Sequence, residues 1–261
     1  MFGLPIGVAA VVLVVLAAAL SVLALYLFRK SVSFEISKGH NEIAGFVFAT
    51  VGVLYAVVLA FVVFAVWERY TASQEAVAHE GAVAVAAYRD TQEFPEPRRT
   101  QAQLALRTYV HTVMDKEWVN HGQVLAHSTP DALNPVWAIY RQAEEQAGAD
   151  GASLDQARDH LYEVEIARHE RHLSAESSLP DIFWVILVLG ATSTLFFAFL
   201  FDMGNLRVQG VLTALLAGLM AGLLFLVVSL ERPFTGPVQV SKAPLQHALL
   251  VFHAIDLEKQ E

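Results

Sequence analysis

Four stretches of the chain, residues 4–28, 43–66, 182–201 and 211–230, are apolar at every helical phase and not on one face only. A helix that is hydrophobic all round belongs in lipid or a deep core. Each stretch is also close to the ~20 residues a helix needs to cross ~30 Å of hydrocarbon. Four membrane-spanning helices are predicted. Between the second and third, residues 67–180 change to a mixed polar pattern, long enough for a small domain and helical almost throughout.

The second span is expected to continue beyond the bilayer into ERYTASQEAVAHEGAVAVAAYRD, because no proline interrupts it and only Gly81 weakens it. EFPEPRR, residues 93–99, should end that helix, since each proline disfavours helical geometry in the residue before it. A second polar helix is predicted over 99–122. STPDALNP offers caps for a helix near Val136, and GADGAS at 148–153 reads as a turn. A last polar helix over 154–178 leads to Pro180 and Asp181, which suit the start of the third span.

Composition agrees with this pattern. The 261 residues are 55% hydrophobic and 16% charged, with mean hydropathy +0.46, too apolar for an ordinary soluble domain. The first span has no basic residue before it and is followed by Arg29 and Lys30, so it reads as a retained anchor and not as a cleaved leader. Cysteine is absent, which removes disulfides and thiolate ligands. The net charge is −9, and no basic stripe is present, so nucleic acid is not an expected partner. Arg29, Lys30, Lys38 and Arg207 lie in the two short loops, which favours a cytoplasmic side for those loops and a periplasmic or external side for residues 67–180.

Within the second span, Gly45, Ala49, Gly52, Ala56 and Ala60 fall inside an arc of about 80° at 100° per residue, while Phe46, Phe61 and Phe64 point elsewhere. Helices in lipid associate by close van der Waals contact, which small residues permit. This face is expected first to dock within the subunit; the alternative is a subunit interface or pore lining. The fourth span repeats the device at Ala214, Gly218 and Gly222. Asn41 and Glu42 read as a helix cap, or alternatively as a polar ring at a pore mouth. Thr50 and Tyr55 are the polar side chains deep in this span and are expected to bond neighbouring helices. No carboxylate, lysine or arginine sits mid-span, which argues against a proton relay or charge-coupled transport.

Two further constellations stand out. Glu165, His169, His172 and Glu176 share one face of the last polar helix at i, i+4, i+7 and i+11. They read first as a solvated or subunit-facing surface, because the spacing is not HExxH and no other ligands are identifiable; a divalent-metal site is the alternative to test. Glu231, Arg232, Pro233, Phe234 and Gly236 follow the fourth span and read as an interfacial turn, with a gate as the alternative. There is no G-x-S-x-G, no phosphate loop and no cysteine, so an enzyme reading has no site.

The second-span motif NEIAGFVFATVGVLYAVVLAFVVFAVWERY, with Glu80, AAYRD, EFPEPRR, the residues Tyr109, Val110, Glu117 and Trp118, and LERPFTGPVQVSKAPL, resembles the bestrophin-like family of bacterial membrane proteins. The resemblance runs through most of the chain; Glu231 replaces an expected aspartate, and the polar helices match loosely. It implies four spans with a helical domain between the second and third. By analogy with bestrophins, which are pentameric chloride-conducting channels, it implies a pore lined by the second span. The same analogy implies a cytosolic soluble part, against the side favoured by the basic loops.

The expectation is therefore an all-α integral membrane protein of the bacterial inner membrane, divided as 1–66, 67–180, 181–231 and a tail 232–261. It is expected to be a homo-oligomer in the lipid bilayer without a cofactor, passing ions passively. The alternative is a membrane-anchored sensor or scaffold whose soluble helices bind a partner or ligand.

Overall fold

The structure is a computed structural model that describes residues 5–31, 38–118, 132–147, 152–201 and 204–258, with the side chains of 38–44, 144, 146, 147, 152 and 153 outside the description. It is helical, in the order α1 (Ile6–Ser31), α2 (Lys38–Asp90), α3 (Arg98–Thr112), α4 (Asn134–Ala147), α5 (Ala152–Glu176), α6 (Asp181–Leu200), α7 (Leu206–Glu231) and α8 (Ala243–Leu257). A 3₁₀ turn, Thr91–Glu93, follows α2, and a π turn, Val113–Glu117, follows α3. Among the described residues, four helices are long and apolar enough to cross a membrane: α1, the first part of α2, α6 and α7. The chain is a multi-pass membrane protein.

The second span does run on without a break to Asp90, and the EFPEPRR segment ends it as expected. Residues 148–151 of the GADGAS turn and the end of the helix predicted over 99–122 lie outside the described residues, and Ala152 and Ser153 already belong to α5. The chain forms two compact units, one of residues 1–68, 178–231 and 236–238, the other of 69–177, 232–235 and 239–261.

In the first unit, α1 packs along α7 because glycines there remove the side chains that would hold the backbones apart. A Cβ added at Gly218 would lie 3.3 Å from Val14, and at Gly222 3.7 Å from the same side chain. Near one end of this pair, Arg29 donates to the carbonyl of Phe201 and to Gln209 Oε1 at 2.9 Å. Gln209 Nε2 donates in turn to the carbonyls of Ala198 at 3.1 Å and Phe201 at 2.7 Å. These carbonyls lie at the C-terminus of α6, where the helix dipole favours a cation and the last acceptors lack backbone donors.

The second unit has a continuous apolar core drawn from α2, α3, α4, α5 and α8. Leu106, Leu133 and Leu161 are completely buried in it, each such side chain contributing roughly 1.5–3 kcal/mol over exposure. The Tyr88 ring stacks on Phe252 of α8 at 4.0 Å, and Arg107 lies over both rings. Arg107 also pairs with Asp256, which accepts from the Tyr88 hydroxyl at 2.7 Å. Gly81 is a packing position: an added Cβ would meet the Pro244 carbonyl oxygen at 2.9 Å.

Candidate functional site

The small-residue face of α2 is open within the single chain. Nothing lies within 4 Å of a Cβ added at Gly52, and Gly45 meets only the Phe201 ring at 3.7 Å. Ala49, Ala56 and Ala60 are exposed. The expectation that this face docks within the subunit is therefore corrected: α2 buries Tyr55, Leu59, Val62 and Val66 instead. Gly52, Ala56 and Ala60 form part of one wall of a groove of about 750 Å³, faced by Leu219 and Leu223 of α7 and almost entirely apolar.

The polar residues of this span also differ from expectation. Thr50 Oγ1 donates to the Phe46 carbonyl at 3.0 Å, inside its own helix. The buried Tyr55 hydroxyl has no hydrogen-bond partner among the described residues. Its ring instead lies so close to Gly190 of α6 that an added Cβ would overlap it. Among the described residues, neither side chain bonds a neighbouring helix. Because α2 begins at Lys38, Asn41 and Glu42 fall inside the helix and not at its cap, with side chains outside the described residues.

In the second unit, residues that the sequence shows only as scattered motif letters converge. Glu80 of α2 and Arg171 of α5 are completely buried, and Glu117 of the π turn is 1% exposed. Arg171 Nε donates to Glu80 at 2.5 Å and Nη2 to Glu117 at 2.6 Å; the Tyr109 hydroxyl donates to Glu80 at 2.5 Å. Arg168 at 2.8 Å and His172 at 3.2 Å complete the shell of Glu117. A π turn inserts one residue into a helical run and rotates the residues beyond it about the helix axis, and here it carries Glu117 at its last position. Burial by itself raises the Glu117 carboxyl, but the His172 hydrogen bond and the Arg171 and Arg168 charges outweigh it and hold the group well below the usual carboxylate range. Burial likewise lowers the Arg171 guanidinium, which Glu80, Tyr109 and Glu117 more than restore, so it remains charged. For Tyr109, burial and the adjacent Glu80 charge push the phenol well up, so it stays a donor.

Trp118 follows the π turn and meets Phe234 edge-on at 5.3 Å. Lys242 lies 5.5 Å over the Trp118 ring and donates to the Met114 carbonyl at 2.6 Å. Pro233 and Phe234 are buried, the Pro233 carbonyl accepts from Val240 N–H at 2.8 Å, and Arg232 is exposed. In the first unit, Glu231 accepts from Trp184 Nε1 at 3.2 Å. On α5, Glu165 accepts from Trp137 Nε1 at 3.1 Å, His172 is engaged by Glu117, and His169 and Glu176 are exposed. No group of three potential metal ligands converges among the described residues. Spacing along the chain did not mark Arg168 and Arg171 as ligands of the carboxylates; the clue was their place on the face of α5 that also carries Leu161 and Val164.

A family model for the Bestrophin-like domain matches residues 15–245. The structure is similar to a crystal structure of a bacterial bestrophin homologue from Klebsiella pneumoniae, with TM-score 0.64 and 15% identity over 97% of this chain and 98% of that one. A crystal structure described as a membrane protein gives TM-score 0.63 at 13% identity, over 94% of this chain and 96% of that one. No curated protein matches the sequence. With the match covering nearly all of the chain, from the first span to the start of α8, the protein belongs to the bestrophin-like family.

Proposed function

We propose that the protein assembles as a homo-oligomer in the bacterial inner membrane and passes ions passively along a path lined by α2. The observation that carries this reading is the open small-residue face at Ala49, Gly52, Ala56 and Ala60, which the single chain leaves without a partner. Small residues in lipid gain little unless another backbone approaches them, so copies of α2 meeting around an axis give the face its use. Asn41 and Glu42, near the start of the same helix, would form a polar ring at the mouth. Residues 67–180 form the soluble domain inserted between the second and third spans, on the periplasmic side by the distribution of basic loop residues. Family membership supports a channel, and no catalytic constellation argues for an enzyme.

Purified protein in planar bilayers tests this directly. Currents in potassium chloride that scale with the amount of protein are expected. If no current appears across a range of pH and divalent ions, conduction is refuted. A second reading, a membrane-anchored sensor or scaffold, is favoured by the apolar lining of the α2–α7 groove together with the self-contained core of the second unit. It predicts intact oligomers that stay silent.

A further inference from the structure

The second unit holds a half-open pocket of about 450 Å³ between α4 and α5, within the size range of small-molecule sites. Unlike the groove beside α2, it is lined by both aromatic and charged side chains. Trp137 and Tyr162 place their ring centroids 4.6 Å apart, tilted by 59°, and form an aromatic wall. Tyr140 adds its ring but not its hydroxyl, which already donates to the Ala87 carbonyl at 3.0 Å.

The polar groups favour an anion. Among the described lining residues, two guanidiniums, Arg141 and Arg158, stand with one carboxylate, Glu165, which already accepts the indole N–H of Trp137 at 3.1 Å. The 3.3 Å pair between Arg158 and Asp155 is exposed, and such pairs are weak enough to be exchanged for a better acceptor. Guanidinium forks match carboxylates bidentately, and flat rings stack on aromatic faces.

We propose that this pocket binds a small planar organic carboxylate, with the ring against Trp137 and Tyr162 and the carboxylate on Arg141 and Arg158. The site stands whether or not the protein conducts, because no residue of α2 lines it.

Calorimetric titration of the full-length protein with benzoate, benzamide and benzylamine separates the possibilities by charge at constant shape. Benzoate is expected to bind at least about tenfold more tightly than benzamide, and benzylamine more weakly still. Replacing both arginines, Arg141→Gln with Arg158→Gln, should weaken benzoate by about tenfold or more at an unchanged melting temperature. Should that double variant fold poorly, Arg141→Gln alone, at an exposed position, carries the same test. The proposal is overturned if benzylamine binds as well as benzoate, if the arginine variants bind benzoate unchanged, or if none of the three binds below about 10 mM.

Discussion

Arg171 holds two carboxylates, Glu80 and Glu117, in a place where water does not reach. Removing one partner of a buried pair costs about 3–5 kcal/mol, because the remaining charge is left uncompensated. Arg171→Met is therefore expected to lower the melting temperature of the solubilised protein sharply, and an unchanged melt would show that the carboxylates do not depend on it. Glu117 adds a pH dependence. Its folded pKa lies below its ordinary value of 4.5. The stability it contributes is thus complete above that value and declines as pH falls below it. The loss of stability between about pH 5 and pH 3 should be shallower in Glu117→Gln than in the native protein. The sequence offered Glu80, Tyr109 and Glu117 as motif letters without their purpose. Helical periodicity along α5 picked out Glu165, His169, His172 and Glu176; His169 and Glu176 are exposed while His172 reaches the buried Glu117, and a single helix does not reveal which charges find buried partners elsewhere.

At the level of elements, α2 and α7 use the same residue type for opposite ends. Gly218 is filled by Val14 of α1, whereas Gly52 faces open space. Gly218→Leu should therefore disrupt packing inside the subunit, which protease sensitivity in detergent would reveal. Gly52→Leu should leave the subunit fold intact and change only the mass of the assembled complex. A full-mass complex from Gly52→Leu would mean that the face has no role in assembly. The spans and the unbroken run of α2 were legible because membrane crossing imposes length and uniform apolarity, conditions written locally in the chain. The π turn after α3 was not, since it depends on what Glu117 gains from another helix. Nor was α8 legible, although Leu245, Ala248, Phe252 and Ile255 recur at helical spacing and are all buried.

For the molecule as a whole, the side of the membrane proposed for residues 67–180 rests on a few basic residues, and one of them has a second role. Arg29 binds at the C-terminus of α6, so its position answers to packing as well as to topology. The native chain contains no cysteine, which allows a clean determination. A cysteine introduced by Asp155→Cys, at an exposed position of α5, should react in intact cells with an outer-membrane-permeable maleimide that does not cross the inner membrane. Reaction only after lysis would place the domain in the cytosol.

The pairing of α1 with α7 also sets an order of events at the ribosome. α1 is translated before α7, so the contact of Val14 with Gly218 forms only after the roughly two hundred residues between them have been made.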